Sequence, residues 1–365
     1  MPRPTQRSTR PARVDAGGTR NHNPVCHNAR RESSLPMPPV PVYADLTPDC
    51  VLNAIDALGR RCDGRLLQLN SFENRVFQVG LEDGGSCVAK FYRPQRWSDA
   101  AILEEHAFSL ELAGREIPVV PPLIVAGATL HHAGGHRFAL FARQGGRTPE
   151  LEQPEVLEWV GRFLGRIHAV GASATYHARP ALDIDSFGVE PRACIAAGPW
   201  LPPELRTNWL ATVDQALDGV REIWQRTGTV ATLRLHGDCH AGNLLWTDAG
   251  PHFVDFDDSR LGPAVQDLWM LLSGDDTQMR IQLDALLRGY AVFHDFDQRE
   301  WQLVEALRTL RLIHYSAWIA RRWDDPAFPA AFPWFGTDRY WHERIVELRD
   351  QIARMHDAPL LSRWD

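Results

Sequence analysis

The chain has 365 residues, of which 44% are hydrophobic, and carries a formal net charge of −7. This length accommodates two lobes with a cleft between them, and the composition is that of a globular protein. No stretch approaches the roughly 20 apolar residues that a membrane helix requires, so no membrane-spanning helix is predicted.

Residues 1–38 are rich in Arg and Pro and nearly free of acidic side chains. Such a segment contains little to bury, and we expect a disordered, solvated tail. A basic arm that binds nucleic acid is one alternative, and a start of translation at Met37 is another. The rest of the chain is acidic, which disfavours a nucleic-acid partner because phosphate binding requires a basic surface.

The six cysteines are scattered along the chain, without a Cys-x-x-Cys pair. The N-terminus also lacks the apolar core of a secretory signal. In a chain of this size these features indicate reduced thiols and a cytoplasmic location, with no membrane partner. We also expect the protein to be a monomer.

The first predicted elements form an antiparallel sheet with two helices. Thr47 suits the N-cap of a helix, Pro48 its first position, and Gly59 follows its last apolar residue. A second helix is predicted over 99–113, and Gly114 ends it. The turn at 82–85 joins two strands as a hairpin, and 131–135 is a further turn. The predicted strands cover 66–69, 75–80, 86–92, 122–126 and 137–142.

The segment 144–147 is the predicted hinge, after which the chain becomes mostly helical. We therefore predict an α+β fold with an N-terminal lobe over 39–143 and a helical C-terminal lobe over 144–365. A β-rich patch interrupts the helices at 233–236, 244–246 and 252–256. The predicted helices cover 153–170, 203–227, 264–273, 277–294, 299–323 and 338–356.

The most informative residues lie in this β-rich patch. Asp238 follows His236-Gly237, Asn243 stands five positions later, and Asp255 ends the next strand. An Asp and an Asn on one short loop can bring a proton acceptor and a metal ligand to the same point. Asp255 adds an anionic oxygen, and Mg²⁺ prefers oxygen donors and keeps several waters, so two protein ligands suffice. The spacing predicts phosphoryl transfer from ATP with Mg²⁺.

Phosphoryl transfer also requires a cation near the α- and β-phosphates. Lys90, in the strand Val88-Ala89-Lys90, is the best candidate in the N-terminal lobe. A lysine on a strand needs an acidic partner, and the helix over 99–113 offers Glu104 and Glu105.

Four segments resemble the bacterial stress response kinase A family of Ser/Thr protein kinases, which belongs to the aminoglycoside-phosphotransferase-like kinases. The His-Gly-Asp-x-x-x-x-Asn motif and the later Asp parallel elements of protein kinases and are specific to the superfamily. The flanking strings indicate the narrower family, and the resemblance spans about residues 41–345. The four segments are 69–76, 88–94, 233–243 and 262–270.

The resemblance implies a two-lobed protein-kinase-like fold whose N-terminal lobe binds nucleotide and whose C-terminal lobe is catalytic. It implies that Asp238 accepts a proton, with Asp255 as the second catalytic residue. Asn243 and Asp255 would bind Mg²⁺, and Lys90 would contact the ATP phosphates. Similarity to small-molecule kinases around Ile117-Pro118 favours Glu105 as the partner of Lys90, and Ser71 would lie in the loop that covers the nucleotide.

Two features depart from protein kinases. The loop over 70–75 contains no glycine, so phosphate contacts would come from Ser71 and nearby backbone N–H groups. Only a few residues separate Asp258 from the helix predicted at Ala264, and an Ala-Pro-Glu element is absent. Control by phosphorylation of an activation loop is therefore not expected.

Plainer interpretations remain for several of these residues. His236, Cys239 and His240 fit no standard zinc spacing, and we favour His236 as a residue that shapes the loop. Asp257 and Asp258 are candidate metal ligands, but a salt bridge with Arg260 or a solvated turn explains them equally well. Asp267 is interpreted as a structural acid that accepts backbone N–H bonds from the loop. Asp238, Asn243 and Asp255 could also be ordinary turn residues, since Asp and Asn favour turns. The complete motif spacing, with Lys90 upstream, disfavours this interpretation.

Three functional hypotheses follow. The leading one is a Ser/Thr protein kinase with ATP and protein hydroxyls as partners. The second is a small-molecule kinase acting on an aminoglycoside, choline, homoserine or sugar-like hydroxyl. A kinase of cationic small molecules would need an acidic acceptor pocket. The C-terminal lobe is acidic but also carries four arginines, so its charge does not decide between the protein kinase and the small-molecule kinase. These arginines are Arg308, Arg311, Arg321 and Arg322. The third, a pseudokinase scaffold, requires a broken motif, whereas every motif residue is intact.

Overall fold

The computed structural model describes residues 42–357. The tail predicted over 1–38 and the possible start at Met37 lie outside these residues. Within them, none of the helices is long and apolar enough to cross a membrane.

A five-stranded antiparallel sheet forms the first part of the described chain, in the order β1-β2-β3-β5-β4. The turn predicted at 82–85 joins β2 and β3, and Lys90 of β3 lies opposite Val76 of β2 and Ala139 of β5. The strands are β1 (Cys62–Gln68), β2 (Arg75–Leu81), β3 (Ser86–Phe91), β4 (His131–Ala133) and β5 (His136–Ala142).

Two helices pack against this sheet. Helix α1 (Pro48–Asp56) begins at the predicted cap, where Thr47 Oγ1 accepts the Cys50 N–H, and it buries Val51 and Ile55 in one apolar cluster. Helix α2 (Asp99–Gly114) contributes Ile102 to a separate cluster. Side chains alternate along a strand, so the β3 residues on either side of Lys90 pack with α1, whereas Lys90 points to the opposite face.

The strand predicted over 122–126 is wrong, and the turn predicted over 131–135 is confirmed only at Gly134-Gly135. Residues 131–133 form β4, and the earlier segment makes only isolated bridges, such as Pro122 with Phe141. Two physical reasons account for the difference. Pro122 has no N–H for a ladder, and Ala126 adopts a positive φ of 49°, which ends any extended run.

The second part is mostly helical. Gly161 and Gly165 of α3 and Gly289 of α7 meet the backbone of the facing helix, where a Cβ would overlap carbonyl oxygens, so these two helices approach closely. The helices are α3 (Pro154–Gly171), α4 (Glu190–Ala197), α5 (Pro203–Thr227), α6 (Val265–Trp269), α7 (Asp276–Tyr290), α8 (Val304–Ala320), α9 (Ala327–Ala331) and α10 (Asp338–His356).

Two two-stranded sheets interrupt the helices where the β-rich patch is predicted. Strand β6 (Leu233–Arg234) pairs with β9 (Leu261–Gly262), and β7 (Leu244–Thr247) pairs with β8 (Gly250–Phe253). The loops after β6 and β8 carry the motif residues. Helix α4, the π-helical turn before it and α9 are elements that the sequence patterns did not predict.

Candidate active site

A buried aspartate holds the loop that follows β6. Asp267 of α6 is fully buried, and its carboxylate accepts the backbone N–H groups of His236 and Gly237 at 2.7 and 2.8 Å. His168 Nε2 lies 3.1 Å from the same carboxylate. The prediction that Asp267 fastens the loop is confirmed. Because the loop is anchored at its first two residues, the position of Asp238 is defined by the fold.

Gly237 is required by the geometry of this loop. Its φ is +88°, a conformation that residues with a Cβ adopt only at a cost. A Cβ at this position would also overlap the carbonyl oxygen of Asp258. The glycine therefore lets the loop turn and pass directly over the segment that follows Asp255.

The Asp238 carboxylate lies between two basic side chains. Arg311 Nη1 donates to Oδ1 at 2.9 Å, and His240 Nε2 is 3.4 Å from Oδ2. Burial acts to raise the pKa of Asp238, but the hydrogen bond from His240 and the charge of Arg311 outweigh it, and the pKa lies below its usual value. The carboxylate is thus ionised at neutral pH and can accept a hydrogen bond from a hydroxyl.

Asn243 and His236 connect this loop to the end of β8. Asn243 Nδ2 donates to the Asp238 carbonyl at 2.9 Å, and the Asn243 backbone carbonyl accepts the Val254 N–H at 3.1 Å. The His236 ring lies 2.9 Å from the Val254 carbonyl through Nε2, as expected for a residue that shapes the loop. These bonds place Asp255 next to the loop and leave the Asn243 amide oxygen available as a ligand.

Asp255 stands in a strained conformation immediately after β8. Its φ of 63° is left-handed, which is uncommon for a non-glycine residue and clusters at functional sites. Its side chain is half exposed, and Oδ1 lies 2.7 Å from Lys90 Nζ. A half-exposed carboxylate together with the amide oxygen of Asn243 is an oxygen donor set of the kind that Mg²⁺ prefers, so these residues fit that ion.

Lys90 is buried and surrounded by carboxylates. Besides Asp255, Asp257 Oδ1 lies 3.6 Å from Nζ. Burial alone would lower the pKa of Lys90, but Asp255, Asp257 and Glu105 together raise it above its usual value. The ammonium is therefore permanently charged, as a phosphate-binding cation must be.

The expected ion pair between Lys90 and Glu105 is not formed among the described residues. Asp255 and Asp257 reach the ammonium first, and Oε2 of the buried Glu105 has no hydrogen-bond partner within residues 42–357. Burial raises the pKa of Glu105 to about 7, against the opposing charges of Arg179 and Lys90. The neighbouring Glu104 accepts backbone N–H bonds from residues 177–179, which excludes it as the partner.

The two further acids after β8 form salt bridges within the protein. Asp258 pairs with Arg260 at 2.9 Å, as one interpretation anticipates, and also with Arg96 at 2.8 Å. Asp257 is buried and pairs with Arg96 and with Asn74. The alternative of a solvated turn is therefore wrong for Asp257. Arg96 was not singled out by sequence reasoning, although it lies two residues beyond the family-like segment 88–94.

Ser71 lies in the loop between β1 and β2, and this loop reaches the Lys90 cluster. Asn74 Nδ2 donates to Asp257 at 3.1 Å, and Asn74 Oδ1 accepts the Arg93 N–H at 3.0 Å. Glu73 is bound by Arg322. The glycine-free loop over 70–75 is thus held by contacts with the end of β3 and with residues of the helical part.

The structure therefore brings most of the predicted residues together. Lys90 and Asp255 touch, Asn243 bonds to the Asp238 loop and to the end of β8, and Glu105 acts on Lys90 only through its charge. Arg311 was named among the arginines of the helical part but not as a site residue, because its contact with Asp238 spans 73 positions along the chain.

Comparisons with known proteins agree with this arrangement. A family model described as the phosphotransferase enzyme family matches residues 65–307. Two solved structures share the fold: the amicoumacin kinase hAmiN (TM-score 0.62, 16% identity, 82% of this chain and 90% of that one) and a microcompartment-associated aminopropanol kinase (TM-score 0.62, 19% identity, 83% and 95%). The fold is the predicted α+β, two-lobed, protein-kinase-like fold.

The chain also matches curated relatives over nearly their whole length. Stress response kinase A of Escherichia coli K12 is 44% identical over 318 residues, which is 87% of this chain and 96% of that protein. The Serine/threonine protein kinase RdoA of Salmonella typhimurium is 43% identical over 318 residues, with the same shares covered. The chain therefore belongs to the phosphotransferase enzyme family, within its stress response kinase A branch, and is a kinase.

Proposed function

We propose that this kinase transfers the γ-phosphate of ATP to Ser or Thr hydroxyls of proteins, with Mg²⁺, in the cytoplasm and in a bacterial stress response. One observation carries the proposal. The buried cation at position 90 contacts the strained carboxylate at 255, and hydrogen bonds of Asn243 join the end of β8 to the loop that carries the ionised carboxylate at 238. The names of the curated relatives support the protein substrate and the stress role.

ATP would lie between the sheet-containing lobe, residues 39–143, and the helical lobe, residues 144–365, with adenine against 142–146. Lys90 is then the cation for the α- and β-phosphates, and the loop with Ser71 covers them. Asn243 and Asp255 would hold Mg²⁺, which supplies neutralisation of the phosphate charge. Asp257, 3.6 Å from the Lys90 ammonium, would be the second carboxylate available to Lys90.

Asp238 orients the acceptor hydroxyl. The hydroxyl oxygen forms a bond to the γ-phosphorus while the bond from that phosphorus to the β–γ bridging oxygen breaks, and ADP leaves with the electron pair. The hydroxyl proton passes to Asp238. Most of the rate would come from positioning and from charge stabilisation. The two hydrogen bonds that Asp267 accepts contribute to positioning, since they fix the loop that carries Asp238.

A small-molecule acceptor is the second candidate. The solved structures of the same fold are named for kinases of amicoumacin and aminopropanol. Their identity to this chain is below 20%, so they speak for the fold and not for the acceptor, and we therefore place the protein acceptor first.

Incubation of purified protein with labelled ATP and Mg²⁺ tests the proposal. We expect label on the protein itself or on a generic protein substrate. Asp238→Asn should lower the rate by about 10²–10⁴-fold with nucleotide binding nearly intact, whereas Asp255→Ala should weaken the Mg²⁺-dependent thermal shift by ATP. Asp248→Asn, at an exposed turn position, is the matched control.

Two results would contradict the proposal. Equal activity of Asp238→Asn, Asp255→Ala and wild type would refute the assigned roles. Turnover of a small alcohol without label on any protein would establish the small-molecule alternative.

A further inference from the structure

The surroundings of Asp238 carry information about the acceptor. Arg311 reaches Asp238 from α8, and its side chain is 45% exposed. His240, 40% exposed, lies on the other oxygen of the carboxylate. A hydroxyl that approaches Asp238 therefore passes beside one permanent cation and one basic ring.

Arg311 has donors left for a further ligand. Within residues 42–357 its two hydrogen bonds, to Asp238 and to Met270 Sδ, both leave from Nη1. Nε and Nη2 remain available, and a guanidinium offers these N–H groups in a planar fork that matches a carboxylate. The half-exposed position lets an incoming anion reach them.

Two acids of α8 and α10 are paired with other arginines. Glu305, on the same helix, pairs with Arg308 at 2.7 Å, and Glu347 of α10 pairs with Arg344 at 2.5 Å. Arg311 and Arg344 both act electrostatically on Tyr315, one turn further along α8. A cationic acceptor would meet repulsion beside Asp238, whereas an acidic one would meet unoccupied donors.

We propose that Arg311 makes this kinase select Ser or Thr hydroxyls in acidic peptide segments, by binding a carboxylate next to the acceptor residue. The inference deepens the protein-kinase function proposed above and rests on it. It assigns Arg311 to acceptor specificity, in addition to its contact with Asp238.

Matched peptides provide the test. Three peptides carry one Ser flanked by Glu, by Gln or by Lys, and kcat/KM is measured for each with wild type, Arg311→Gln and Arg311→Glu. Wild type should favour the Glu peptide over the Gln peptide by about 5-fold, the upper range for a partly exposed ion pair. Arg311→Gln should bring this ratio near one, and Arg311→Glu should invert the order in favour of Lys.

The ratio separates specificity from damage to the site, since a loss of Asp238 function lowers all three rates together. Arg339→Glu on α10, where the guanidinium is 88% exposed beside Glu343, is the charge-matched control and should keep the wild-type ratio. Equal rates for the three peptides, or an acidic preference that survives in Arg311→Glu, would overturn this inference and leave the protein-kinase proposal standing. Label on none of the peptides and on no protein would overturn both.

Discussion

Replacing Asp325 by Asn removes the charge that joins the sheet to the helical part of the molecule. Asp325 is 1% exposed and stands just before α9. Arg75 of β2 donates to it at 2.8 Å, and Arg93, two residues beyond β3, at 2.6 Å. Both guanidinium groups are themselves largely buried, and both lie over the ring of Tyr43. The substitution would leave two buried cations facing a neutral amide.

The magnitude follows from this burial. Removing one partner of a buried ion pair typically costs about 3–5 kcal/mol, because the remaining charge loses its compensation. Asn keeps one oxygen as an acceptor, and Glu73, 3.3 Å from Arg93, still compensates one of the two arginines. We therefore expect Asp325→Asn to lower the free energy of unfolding by about 3 kcal/mol, at the lower end of that range.

Urea unfolding of wild type, Asp325→Asn and Asp324→Asn measures the effect. Asp324 is exposed, so the same chemical change there should stay within about 0.5 kcal/mol of wild type. If the two variants differ from each other by less than that amount, the carboxylate of Asp325 does not compensate the arginines as the contacts indicate.

Two further predictions concern the active site. Gly237→Ala should lower activity by at least about 10²-fold, since the positive φ and the overlap of the new Cβ with Asp258 must displace the loop. Its loss of stability should exceed that of Gly228→Ala, where φ is +73° but no atom lies within 4 Å of an added Cβ. Equal losses of stability for the two variants would argue against the overlap. Glu105 has a pKa raised from its usual 4.5 to about 7, so it stays protonated in the folded protein where the unfolded chain ionises. The contribution of protonated Glu105 to stability is complete below pH 4.5 and is lost as the pH rises to 7. The free energy of unfolding of Glu105→Gln should therefore rise by up to about 3 kcal/mol relative to that of wild type across this pH window, measured by denaturant unfolding at each pH. A difference in free energy of unfolding that is constant with pH would show that Glu105 titrates normally.

Local sequence patterns predicted the elements whose ends are marked by their own residues. Helix α10 begins directly after Thr337, whose side chain accepts the Tyr340 N–H. Helix α5 ends where Gly228 takes a positive φ. By contrast, the helix predicted over 299–323 starts as a 3₁₀ segment, and the strand predicted over 122–126 is replaced by β4. These differences depend on packing and pairing, which no local pattern encodes.

The active site shows the same division. Asp238, Asn243 and Asp255 are close in sequence, and their spacing on two connected loops was enough to predict that they meet. Lys90 is a weak signal on its own, because a lysine on a strand is common, and it became a candidate only in combination with the downstream motif. Its nearest partners were not predicted: Asp255 and Asp257 form its ion pairs in place of Glu105, and only the folded chain brings them there.

Helix α8 gives these separate contacts a common frame. Arg311, Tyr315 and Trp318 follow one another at spacings of four and three, so they lie on one face, and Arg322 continues that face just beyond the helix. Arg311 bonds to Asp238, whereas Trp318 and Arg322 bond to Glu73 in the loop between β1 and β2. About 10 Å of helix separates Arg311 from Trp318. Because a helix is stiff over this length, α8 fixes both the proposed acceptor side and the loop proposed to cover the nucleotide. The position of that loop is then set by its contacts with α8 and not by its own flexibility, so the loop does not need glycine.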